Sequence, residues 1–98
     1  MRHAVSAILS AMEARLLLDV AGWIGMAGLL SAYWLVSTNR VRGTSRLYQT
    51  LNVIGAGGLL ANTFYYRAYP AAALNSVWLA IAVIAYVRAV VRRRGGLT

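Results

Sequence analysis

Three apolar runs, almost free of charge, constrain this chain more than any other feature. Residues 16–36 (LLLDVAGWIGMAGLLSAYWLV) carry one charge, Asp19; residues 47–66 (LYQTLNVIGAGGLLANTFYY) and 70–87 (PAAALNSVWLAIAVIAYV) carry none. Each run is about 20 residues, the length with which a helix crosses a hydrocarbon layer of roughly 30 Å. A soluble three-helix bundle needs a polar stripe along every helix, and 70–91 offers only Asn75, Ser76 and Arg88. Of the 98 residues, 12% are charged, about half of the roughly 25% usual in a soluble domain. The expected fold is therefore an all-α membrane protein, a bundle of three transmembrane helices. One domain, 16–91, would hold spans at 16–36, 47–66 and 70–91. Residues 1–15 are expected to be an interfacial helix or an extension of the first span, and 92–98 a basic cytoplasmic tail.

The net charge of +8 comes from arginine alone, with no lysine and no cysteine in the chain. A nucleic-acid binder can show such a balance. Here, however, the arginines gather at span ends, where topology signals lie, so lipid rather than nucleic acid is the expected surrounding. Arg40, Arg42 and Arg46 occupy the first loop, and Arg88 and Arg92 to Arg94 follow the third run; Arg2, Arg15 and Arg67 lie on the other side. The positive-inside rule then puts the first loop and the C-terminus in the cytoplasm and the N-terminus outside. The breakers agree with this layout. Gly43 marks the first loop, Thr44 or Ser45 can cap the second helix, and Pro70 fits the first turn of the third. Gly95-Gly96 ends the fold. Trp34, Tyr48, Tyr65, Tyr66, Tyr69 and Tyr86 fall near span ends, where amphipathic rings anchor.

Within the apolar runs the polar residues share faces. At about 100° per residue, Asn52, Gly55, Leu59, Asn62, Thr63 and Tyr66 fall within about 100° on the second helix. Asn75, Ala82, Tyr86 and Ala89 share a face of the third, with Trp78 beside it. On the first, Asp19, Gly22, Trp23, Met26 and Tyr33 form a comparable face. Two explanations stand side by side. Small residues let membrane helices approach closely and asparagines hydrogen-bond across the contact; Gly22, Gly25 and Gly28, with Gly55, Gly57 and Gly58, suit that role. Alternatively, polar groups inside a membrane line a substrate path. An uncharged amide with two donors and two acceptors suits a neutral polar solute. In that case Asn52, Asn62 and Asn75 would bind it, between walls of Trp23, Tyr33 and Trp78.

Catalysis is not expected. His3 is the sole histidine and lies at the very start. Glu13 and Asp19, six residues apart, occupy different helix faces and cannot form a paired-carboxylate site. Asp19, one turn inside its span, is expected to pair with Arg15 or Arg67. No phosphate-cradling glycine loop, metal-ligand spacing or cofactor motif is present. Three helices cannot enclose a solute path alone, so a cavity would need a second, parallel copy.

The order of residues resembles the SemiSWEET group, small bacterial three-span relatives of the sugar transporters with PQ-loop repeats. The likeness runs over about 17–91: Gly22-Trp23, Ser31-Ala32-Tyr33, a basic loop leading to Ser45 and Tyr48, Gly55 to Tyr65, Pro70, and LNSVW before a third apolar helix. The resemblance implies a half-transporter in the bacterial inner membrane. It would be a parallel homodimer with a central pocket, moving a small sugar-like solute by alternating access. Asn75, five residues after Pro70, matches the group's pocket asparagine, and Asn62 stands where the group has a pocket tryptophan. The Pro-Gln pair of the group's first helix is absent, and the corresponding stretch reads Tyr33-Trp34. The alternative is a non-transporting accessory subunit, packed against a larger membrane complex through its glycine-rich first helix.

Overall fold

The computed structural model describes the backbone of residues 1–95 and the side chains of residues 1–92. It holds three helices: α1 (Arg2–Ser37), α2 (Arg46–Tyr65) and α3 (Tyr69–Gly95). The first runs without interruption from Arg2, so 1–15 continues the apolar segment rather than forming an element of its own. Those residues are mostly alanine, methionine, leucine and other good helix formers, with no glycine or proline to stop them. At about 1.5 Å per residue α1 is roughly 54 Å long, which accounts for the extents of 65 × 28 × 22 Å. At the other end the helix runs through Arg92, where a tail was expected, as far as Gly95. Gly96 lies outside the described residues.

Local chemistry explains the remaining boundaries. Ser45 caps α2, its Oγ accepting from the Tyr48 N–H at 3.1 Å. Both preceding helices close with the same paired arrangement of end bonds. After α1, the Asn39 N–H reaches the Val36 carbonyl (3.2 Å) and the Arg40 N–H reaches Leu35 (2.9 Å). After α2, Arg67 bonds back to Phe64 (3.1 Å) and Ala68 to Thr63 (2.8 Å). This closure requires a left-handed residue, and Asn39 (φ 60) and Arg67 (φ 58) supply it. Asparagine takes that conformation readily; for arginine it costs about 1–2 kcal/mol. The resulting turn, Tyr66 to Ala68, brings Phe64 and Tyr69 edge to face at 6.4 Å.

The helices form a bent layer rather than a closed bundle. α2 packs against both neighbours, and among the described residues no Cα of α1 comes within 8 Å of one in α3. What lies inside is small: Ala32, Ala56, Ala72, Ala82 and Ala89 make up the buried apolar set, with Asn52 the buried polar residue. The large side chains point outward, Leu17, Trp23, Leu74 and Ile81 among them, each more than half exposed. α1 and α3 are long and apolar enough to cross a membrane, yet their most apolar windows are only 17% and 6% buried. A core helix of a soluble protein would have that surface covered. α2, with Gln49, Thr50, Asn52, Asn62 and Thr63, falls short of the same measure. Its central place makes this intelligible, because both flanks supply polar partners.

Candidate functional site

Glycine brings α1 and α2 together. A Cβ on Gly25 would come within 2.6 Å of the Gly55 carbonyl, and one on Gly58 within 2.6 Å of the Ala21 carbonyl. At Gly55 the obstruction would be Leu29 and the Gly25 carbonyl, at 2.7 and 2.8 Å. Gly28 is looser, 3.4 Å from the Leu51 carbonyl, and Gly57 meets nothing within 4 Å. Gly22 makes room for a side chain, since its Cβ would lie 2.6 Å from Asn62 Nδ2. That amide crosses the contact to donate to the Leu18 carbonyl at 2.8 Å.

Beside this bond the two helices leave a groove of about 190 Å³, lined by Asp19, Gly22, Trp23, Met26, Leu59 and Asn62. Asp19 accepts a hydrogen bond from the Tyr66 hydroxyl, so its partner is this neutral donor rather than Arg15 or Arg67. Arg15 lies beside the same hydroxyl. Sequence reading missed Tyr66 as the partner. The clue was available: antiparallel helices bring residues 19 and 66 to the same end.

The second contact holds the remaining amides. Asn52 is 5% exposed; its Nδ2 donates to the Tyr48 carbonyl of its own helix at 2.9 Å. Its Oδ1 accepts from the Trp78 indole N–H across to α3 at 3.4 Å. Asn75 Nδ2 donates to Thr63 Oγ1, also at 3.4 Å. The face expected to carry Asn52 and Asn62 together is therefore divided. Gly55, Gly58 and Asn62 meet α1, whereas Asn52 and Thr63 meet α3. On α2 these stripes are about 100° apart, and Leu59 falls between them. The groove thus borders the cleft between α1 and α3, on the side where Leu59 lies.

Of the six residues expected to bind a solute, Trp23 and Asn62 share this groove. Asn52 and Trp78 are joined to each other, Asn75 is turned onto Thr63, and Tyr33 is 70% exposed on α1. Chemically the groove combines a carboxylate, an amide and an indole face, a set able to hold a small hydroxylated molecule. Among the described residues no three His, Cys, Asp or Glu side chains come together as a metal site.

No curated protein and no solved structure matches the chain. A family model does match, over residues 18–94, which takes in all three helices except the N-terminal part of α1 and the last residue of α3. The chain belongs to that family, whose function is unknown.

Proposed function

We propose that this is a bacterial inner-membrane protein with its N-terminus outside, acting as a parallel homodimer. Two copies bring their open sides together around a small neutral polar solute, which they carry by alternating access. The observation that supports this reading is the cleft between α1 and α3 on the contact side of α2. Among the described residues no Cα of α1 lies within 8 Å of one in α3, and Leu59, which falls between the two contacts, lines the groove with Asp19, Trp23 and Asn62. A second copy would supply the missing wall and remove exposed apolar surface. The outward-facing large side chains fit lipid as solvent, and the arginine distribution orients the chain. Trp23, Tyr33 and Trp78 would form the walls, and the Asn62 amide and Asp19 the polar contacts. In reconstituted vesicles, Trp23→Ala is expected to reduce uptake of small sugars at least tenfold while the dimer survives. Undiminished uptake by that variant sinks the reading.

A specific observation favours a second reading, a non-transporting subunit of a larger membrane complex. The amides of Asn52, Asn62 and Asn75 are all engaged in hydrogen bonds within the three helices. Purification in mild detergent separates the two. A clean homodimer supports the first; fixed stoichiometry with other membrane proteins supports the second.

A further inference from the structure

The end of the molecule opposite Asp19 carries a second concave region. Two depressions, of about 320 and 510 Å³, adjoin where the first loop meets the end of α3, and both are lined by Thr44, Ala89 and Arg92. Arg88 enters the first and Arg46 the second. No acidic side chain answers these cations. The sequence has only Glu13 and Asp19, and Asp19, the nearer, lies about 27 Å of helix from the end of α1. The chemistry changes along the wall of the first depression. Arg92 and Arg88 give way to Ile84 and Ile81, each more than half exposed. From residue 92 to residue 81 is about 16 Å along the helix. Cations therefore top an apolar wall, the same order in which a phospholipid carries its phosphate and its acyl chains.

We propose that this pocket binds the phosphate of an anionic phospholipid from the adjoining leaflet, with Arg88 and Arg92 on the phosphate and Ile81 and Ile84 along an acyl chain. Arginine suits a phosphate because its planar fork can donate two parallel bonds, and basic pockets beside membrane helices recruit acidic headgroups. The proposal rests on the membrane reading above but not on transport. The apolar wall favours a lipid over a soluble phosphate, which would leave Ile81 and Ile84 unused.

The test is lipid retention by the purified full chain in neutral detergent, read by native mass spectrometry and by thermal melting. The probes are phosphatidylglycerol, phosphatidylcholine and inorganic phosphate. Phosphatidylglycerol is expected to be retained and to raise the melting temperature, with neither effect from the other two. Arg88→Gln with Arg92→Gln should weaken retention about fivefold per arginine, roughly thirtyfold for both. Arg40→Gln with Arg42→Gln, on the same side but outside the depressions, should leave it unchanged. If the first double variant fails to fold, Ala85→Trp, which fills the pocket, is expected to give the same loss. Equal retention of phosphatidylcholine, an undiminished Arg88/Arg92 variant, or an equal loss from the Arg40/Arg42 variant overturns the site. Stabilisation by inorganic phosphate matching that of phosphatidylglycerol overturns the lipid assignment. Failure of the membrane reading would look different: the chain would stay soluble and monomeric without detergent.

Discussion

The two contacts that α2 makes are built differently. Against α1 it presents glycine, and backbone meets backbone: Gly25 faces the Gly55 carbonyl and Gly58 the Ala21 carbonyl, with the Asn62 amide bonded to a main-chain oxygen at 2.8 Å. Against α3 the residues are alanine, asparagine and tryptophan, and the two cross-helix bonds join side chain to side chain at 3.4 Å. A backbone-to-backbone contact has little room to adjust. One mediated by side chains can shift as rotamers change. The pair α1–α2 is thus expected to resist displacement more than the pair α2–α3.

The sharpest way to break this contrast is at Gly55. A leucine there would place its Cβ against Leu29 and the Gly25 carbonyl, and overpacking of this kind costs about 3 kcal/mol or more when backbone blocks relief. Gly55→Leu is expected to separate α1 from α2, seen as lost cooperativity in detergent unfolding followed by circular dichroism. Wild-type unfolding would mean that the close approach contributes little.

Removing the amides grades the two contacts. Asn62→Ala is expected to destabilise by about 1–2 kcal/mol, and Asn75→Ala by about 0.6 kcal/mol, the range measured for hydrogen bonds between membrane helices. The reverse order in the same unfolding assay would make α2–α3 the firmer contact.

The smallest effect sharpens the picture within a single turn. Gly57 has open space beside it, so Gly57→Ala should be neutral or stabilise by up to about 1 kcal/mol through helix propensity. A Cβ on its neighbour Gly58 would lie 2.6 Å from the Ala21 carbonyl, so Gly58→Ala should destabilise. Equal responses of the two would remove the directional argument.

Much of the layout was legible from residue order. The apolar runs at 16–36 and 70–91 fall within α1 and α3, the run 47–66 matches α2 except for Tyr66, which follows the helix, and Ser45 and Pro70 stand at the starts of α2 and α3. The first loop was read from Gly43, whereas the left-handed residue that ends α1 is Asn39 (φ 60), a residue type that takes this conformation readily. Arg67 was not legible, because nothing in an arginine announces φ 58; the short link between two packed helices imposes it. The grouping of Asn52 with Asn62 failed for a related reason. A helical wheel reports which residues share a face, but not where the neighbouring axes lie. Two neighbours about 100° apart cut one polar face in two.

Hydrophobic runs, arginine placement and the scarcity of breakers are local properties, written residue by residue. They suffice for three helices, their approximate ends and a charge difference between the two ends of the layer. Which amide meets which helix depends on axes set by glycine against backbone and alanine against alanine. The groove beside Asp19 and the arginine pocket beside Ile84 therefore arise only once α2 has taken its place in the middle, because each is formed by residues far apart in the chain.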